Sequence, residues 1–253
     1  MNRSKLPHVG ASRHLIRAAV AAAALTAAPA APAQATPDGL EPGITQRLSD
    51  ERTLSRWAHP ERLAPVRTQP DPAAPAITRL RFDTEDGLHE VYLALRSTLD
   101  GEGREWIEIR LPMRPNGTTG WVPRDALGRF HVVRTMLRID RARLRATLYR
   151  SGRRIWSAPV GVGKPSSPTP AGRFYIRERL RPPPGTIYGA LAFGTSAYSG
   201  LSDWPGGGVV GLHGTDQPHL IPGRPSNGCV RVRDGALRRL GRLLPKGTPV
   251  RIV

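Results

Sequence analysis

A chain of 253 residues with 39% hydrophobic side chains, 26 prolines and 27 glycines has room for one large or two small domains, and favours short strands and turns over long helices. Its single cysteine excludes an intrachain disulfide. The formal charge of +18 is uneven: residues 36–130 carry 13 Lys and Arg against 15 Asp and Glu, whereas residues 131–253 carry 21 against 5.

Residues 1–35 read as a secretory signal peptide. Arg3, Lys5, Arg13 and Arg17 make a basic start, Ala18 to Ala28 an apolar run, and Ala33-Gln34-Ala35 a small-x-small cleavage site. The run is too short to span a bilayer comfortably, and nothing after residue 36 is long and apolar enough to do so. The expected location is therefore exported, in the periplasm or cell wall, with no stable membrane span after cleavage. In that compartment the basic half suits anionic cell-wall polymers or carboxylate-rich peptides better than nucleic acid, for which no recognition motif is present.

Residues 36–56 read as a polar linker with one short helix around Ile44 to Leu54. From Trp57 to Arg129 the pattern is short β segments between turns. Leu88 to Leu95 alternates in part, and Trp106 to Leu111 alternates cleanly, as a half-buried strand does. Pro115-Asn116-Gly117 marks a turn before Gly120-Trp121-Val122-Pro123. That last piece resembles the closing stretch of a bacterial SH3-like module, which implies a small β-barrel over residues 57–129. Trp57, Trp106 and Trp121 are expected in its core rather than on a sugar-stacking face.

Beyond Phe130, strands are expected around His131 to Arg134, Leu137 to Asp140 and Leu144 to Tyr149. Ser151-Gly152 is a hairpin turn into Arg154 to Gly161. Thr169-Pro170-Ala171-Gly172 turns into a strand through Ile176. Residues 181–202 read as a long loop near the site. Val209 to His213 is a short buried strand. Asp234 is placed to cap a helix with Leu237, Leu240, Leu243 and Leu244 on its apolar face, and Val250 to Val253 closes the chain as a strand.

The chemistry is concentrated in Gly211-Leu212-His213-Gly214-Thr215 and in Ser226-Asn227-Gly228-Cys229-Val230-Arg231, whose cysteine lies sixteen positions after the histidine. A thiol nucleophile needs a base and donors for the oxyanion. His213 suits the base, since a neutral imidazole accepts a proton near physiological pH. The amides of Gly228 and Cys229 are candidate oxyanion donors. Asp216 and the backbone carbonyl of Gly214 are the candidates for holding the imidazole. Zinc held by His213, His219 and Cys229 is the rival reading, but Cys-x-x-Cys or His-x-x-x-His spacing is lacking, so no metal and no cofactor is expected.

These residues resemble the L,D-transpeptidase catalytic domain of the YkuD type. The resemblance rests on His213-Gly214, on Ser226 to Arg231, and on Thr169-Pro170-Ala171-Gly172, which is similar to that family's Thr-Pro-x-Gly segment. Asn227 stands where histidine is commoner. The resemblance implies a mainly β domain over residues 130–253, a sandwich with a short helix after the cysteine. It implies that Cys229 is the nucleophile, His213 the general base and acid, the Gly214 carbonyl the group orienting His213, and the Gly228 amide an oxyanion donor. Ser226, Asn227 and Arg231 would bind substrate. The implied partners are peptidoglycan stem peptides, joined by 3→3 cross-links through a thioester with release of D-alanine. Water as acceptor would make the protein an L,D-carboxypeptidase, and a silent cysteine would make it a non-catalytic wall-binding protein.

Overall fold

A computed structural model of the protein describes residues 42–202 and 205–253; the signal-like segment lies outside them. Among the described residues no helix is long and apolar enough to cross a membrane. The described residues are mainly β, in two sheets with one α-helix.

The N-terminal sheet has eight strands. Tyr92–Leu99, Glu105–Arg110 and Thr119–Pro123 stand side by side as an antiparallel meander. Pro65–Arg67 and Ala76–Arg79 extend it beyond Thr119–Pro123. Ser55–Ala58 and then His131–Val133 extend it on the other side. Its core is Val66, Leu80, Tyr92, Ile107, Ile109 and Val122. Trp57 and Trp106 are buried, as expected, but Trp121 is only half-buried, with Arg96 over its ring.

Two expectations fail here. The helix expected around Ile44 to Leu54 does not form: Thr45–Arg47 pairs with Arg96 to Thr98, and Leu48 joins the core. Asp50 then stops the chain, because its Oδ1 accepts the N–H groups of Arg52, Thr53 and Leu54. An aspartate offering the backbone this alternative favours a turn over a helix. The boundary at residue 130 also moves, since His131–Val133 pairs with Ser55–Trp57 and so belongs to the first sheet.

The C-terminal sheet is a path of ten strands. It begins with the hairpin Arg153–Pro159 and Arg145–Arg150, turned at Ser151 and Gly152 with φ of 47° and 79°. It continues through Thr135–Asp140, Pro249–Ile252, Gly172–Leu180, Ala192–Tyr198 and Val209–His213. Val230–Arg231, Gly161–Gly163 and Gly223–Ser226 complete it. Strands from both ends of this path and the helix Asp234–Gly241 share one core, including Leu148, Trp156, Phe193, Leu212, Val232 and Leu240. Arg233, not Asp234, occupies the helix N-cap; the Asp234 carboxylate instead accepts the Thr215 N–H.

Residues 181–202 are not one loop. Ala192–Tyr198 is a strand buried along its whole length. It has neighbours on both faces, so its sequence shows no alternation, and its small residues hid it.

The sheets meet along a polar seam. Fully buried Arg177 donates from Nε to Glu90 Oε1 at 2.9 Å and from a second nitrogen to Glu90 Oε2, and that second nitrogen also forms an ion pair with Glu85 at 2.9 Å. The Tyr175 hydroxyl donates to the Val91 carbonyl at 2.9 Å. Asn116 exchanges two hydrogen bonds with the backbone of Tyr198, at 2.7 and 2.9 Å. The strands held by this seam are those that floor the site.

Candidate active site

Val209–His213 runs parallel to Val230–Arg231, with Leu212 opposite Val230 and His213 opposite Arg231. This register sets Cys229 beside Gly211, whose N–H points at the Cys229 sulfur, 3.4 Å away. Residue 211 faces both groups: a Cβ there would make ordinary contacts, 3.7 Å from His213 Cδ2 and 3.9 Å from Cys229 Sγ.

His213 is 4% exposed, and its Nδ1 lies 2.7 Å from the Gly214 carbonyl. A carbonyl can only accept, so Nδ1 carries the hydrogen and Nε2 is left as the basic nitrogen. Of the two groups the sequence offered, the Gly214 carbonyl holds the ring, and Asp216 acts on it only as a distant charge. The ring of Tyr188 packs edge-on at 5.0 Å between centroids.

The cysteine turn is tied from inside. Ser226 Oγ donates to the Cys229 carbonyl at 2.6 Å and accepts the Gly228 N–H at 3.2 Å. Thr169 Oγ1 accepts the Gly163 N–H and donates to the Gly228 carbonyl, both at 2.8 Å. Ser167 Oγ donates to the Asn227 carbonyl at 2.9 Å. Gly228 has φ of +122°, a conformation that L side chains resist. Ser226 therefore builds the turn: its hydroxyl is buried and committed to it. The Gly228 N–H is likewise committed to Ser226 in this conformation.

Burial holds the His213 imidazole down at about 4, against the pull of the Gly214 carbonyl and with the help of the Arg231 charge. Burial pushes the Cys229 thiol up, opposed by the Gly211 N–H and Arg231. Both partners are thus neutral at rest near pH 7. The thiol keeps partial exposure at the floor of a cavity of about 420 Å³. His213, Gly211, Tyr188, Phe193 and Glu178 also line that cavity. Asn227 and Arg231 do not; Arg231 reaches Gln217 at 3.5 Å, and its buried Nε has no partner among the described residues.

A family model described as the YkuD L,D-transpeptidase catalytic domain matches residues 134–252. Residues 134–252 are an L,D-transpeptidase catalytic domain. Proteins named L,D-transpeptidase YkuD from Bacillus subtilis and Bacillus licheniformis are 34% and 33% identical over 106 and 105 residues. Each alignment covers 42% of this chain and 58% or 57% of the relative, so the chain spans a little over half the length of the curated relatives it matches. An Enterococcus faecium L,D-transpeptidase mutant aligns at 26% identity and a TM-score of 0.38, covering 47% of this chain and 49% of that one.

Within the L,D-transpeptidase domain, sequence reasoning missed Gly211, Tyr188 and the bracing role of Thr169. Gly211 carried a signal, because it lies two residues before the histidine and so faces the same side of the strand. Tyr188 sits in an irregular segment rich in proline and glycine, and nothing local marks it.

Proposed function

We propose that the protein is an exported cysteine L,D-transpeptidase acting on peptidoglycan stem peptides. The observation that carries this reading is that the Cys229 sulfur and the His213 ring border one cavity across the bare backbone of Gly211. With the thiol protonated and the imidazole neutral, the first step passes the sulfur's proton to Nε2 as sulfur attacks a substrate carbonyl. An S–C bond forms, and the C–N bond to the terminal D-alanine breaks. The departing nitrogen takes the proton from His213. An amine of a second stem then attacks the thioester, gives a proton to His213 and releases the thiolate, which recovers it. With an L-centre diamino acid as acyl donor, the product is a 3→3 cross-link. The Cys229 amide is the better oxyanion donor, because that of Gly228 is engaged by Ser226.

The reading of residues 57–129 as an SH3-like module rests on its Gly-Trp-Val-Pro strand, and the basic C-terminal half favours retention by anionic wall polymers. The test is to incubate the purified protein with a disaccharide tetrapeptide and identify the products by mass. A dimer lacking one D-alanine is expected. A monomer lacking D-alanine would make water the acceptor. Unchanged substrate would overturn the enzymatic reading.

A further inference from the structure

The N-terminal sheet reaches the cysteine turn through one turn of its own. Residues 112–117, between the strands Glu105–Arg110 and Thr119–Pro123, carry Arg114 and Asn116. One terminal nitrogen of Arg114 donates to the Ser199 carbonyl at 2.9 Å and to the Leu201 carbonyl at 3.2 Å. The guanidinium also lies over the Tyr198 ring, 4.8 Å from its centroid. Asn116 clasps the Tyr198 backbone with its two hydrogen bonds. Ser199 in turn donates its N–H to the Gly208 carbonyl at 2.8 Å. A side chain on Gly208 would meet both the Leu201 carbonyl and the Arg114 guanidinium. Arg114 therefore grips the chain where it leaves Ala192–Tyr198 and where it enters Val209–His213.

Ser199 is 6% exposed and lies against Gly228: a Cβ on that glycine would sit 3.0 Å from the Ser199 Cβ. This contact does what the ties inside the cysteine turn do not. Ser226 takes the Gly228 N–H and Thr169 gives to the Gly228 carbonyl, but neither restrains the bare Cα between them. A glycine has backbone freedom that other residues lack, and a swing of its Cα carries the next peptide, with the Cys229 N–H, along with it. Ser199 blocks that swing on one side. The base and the thiol are held differently, by the Gly214 carbonyl and the Gly211 N–H, in bonds that do not pass through Ser199.

We propose that Arg114 is a positioning residue for acyl transfer: by fixing Ser199 it keeps the Gly228–Cys229 peptide turned so that the Cys229 N–H meets the oxyanion. This rests on the transpeptidase reading above, with the Cys229 amide as oxyanion donor, and adds to it a residue from outside the matched residues 134–252. Charge-assisted bonds from a guanidinium to carbonyls are stronger than neutral ones, which suits a tie between two sheets. Two reactions of the same sulfur separate this role from general support. Attack on a carbonyl builds an oxyanion and needs the peptide in place. Attack on the saturated carbon of iodoacetamide builds none: an S–C bond forms, the C–I bond breaks, iodide leaves and the thiol proton passes to His213. That second reaction needs only the thiol and its base.

The experiment follows both reactions by intact mass: single-turnover acyl-enzyme formation from saturating disaccharide tetrapeptide, and alkylation by iodoacetamide. Melting curves give the folded fraction, and each rate is expressed per folded molecule. Arg114→Gln should acylate about tenfold more slowly, a displaced oxyanion donor costing less than the roughly hundredfold or more of one removed outright, and should alkylate within about twofold of the wild type. Arg114→Lys still donates to one carbonyl and should recover part of the lost acylation. Arg79→Gln removes the same charge from the same sheet, where Arg79 donates to the Leu63 carbonyl, and should change neither rate. Acylation and alkylation falling together in Arg114→Gln would make the residue a support of the whole site and overturn the proposal. Acylation at the wild-type rate, or an equal loss in Arg79→Gln, would also overturn it while leaving the transpeptidase reading intact. A wild-type protein that is alkylated but never acylated defeats both.

Discussion

The N-terminal sheet, residues 42–133, and the C-terminal sheet, residues 134–253, are both largely antiparallel around their own apolar cores, yet their connections differ. In the first, the central strands Tyr92–Leu99, Glu105–Arg110 and Thr119–Pro123 follow one another through short turns. In the second, Val209–His213 has an antiparallel neighbour on one side and the parallel Val230–Arg231 on the other. Parallel neighbours require a crossover. Here the crossover carries the cysteine turn back to the strand that ends in the histidine. The chemistry sits where the wiring is non-local, and the meander serves as a buttress that grips the flooring strands through Arg177, Tyr175 and Asn116.

The sharpest way to break that division of labour is at the sulfur. Cys229→Ala should reduce acyl-enzyme formation by on the order of 10⁴-fold or more, as expected when a nucleophile is lost. Its melting temperature should stay near that of the wild type, because the turn is tied by Ser226 and Thr169 rather than by the thiol. An adduct on the variant in intact-mass spectra would place the chemistry elsewhere. The converse test is at the seam. Arg177→Met leaves Glu90 fully buried without its main cation and should cost about 3 kcal/mol or more in urea unfolding. Adding Glu90→Leu should return part of that loss, because a buried pair removed whole costs less than one broken. A single variant as stable as the wild type would mean the seam does not grip.

The same contrast governs what the sequence disclosed. His213 and Cys229 stood out because glycines flank them and the strand before the histidine is apolar. The hairpin at Ser151 and Gly152 and the helix with Leu237 and Leu240 were legible for local reasons: a turn pair and a periodicity. Ala192–Tyr198 was hidden because burial on both faces removes alternation. The reach of Asp86 into the cavity, and of Thr84 to Glu178, was invisible, since both lie about ninety residues from Glu178. The turn-building bonds of Ser226 were not legible, because a turn-building hydroxyl and a substrate-binding one look alike in sequence.

Acid should separate the two regions by window. The His213 imidazole is depressed from 6.5 to about 4 by burial, so the unfolded chain binds this proton first. Its contribution is present above pH 6.5 and is lost as pH falls towards 4, at most about 3 kcal/mol. Burial raises the Glu85 carboxyl, but Arg177 and the Tyr198 hydroxyl outweigh it and hold it at about 2, against 4.5 in the unfolded chain. Its contribution is therefore lost between pH 4.5 and 2, below the histidine window. Melting temperature against pH should lose its upper slope in His213→Gln and its lower slope in Glu85→Gln. Slopes that vanish together in either variant would show that site and seam titrate as one.

The finest distinction is within the C-terminal sheet, between the thiol and the frame that presents it. Thr169 is 1% exposed and joins Gly163 to Gly228 through one hydroxyl. Thr169→Val keeps the shape but leaves a buried N–H and a buried carbonyl without partners, which should cost about 2 kcal/mol. Thr169→Ser keeps both hydrogen bonds and should cost less. If the hydroxyl holds the cysteine turn, the valine variant should lose acylation rate beyond what its unfolded fraction explains, and the serine variant should recover it. Equal rates per folded molecule in both would show that the turn keeps its shape through Ser226 and Ser167 without Thr169.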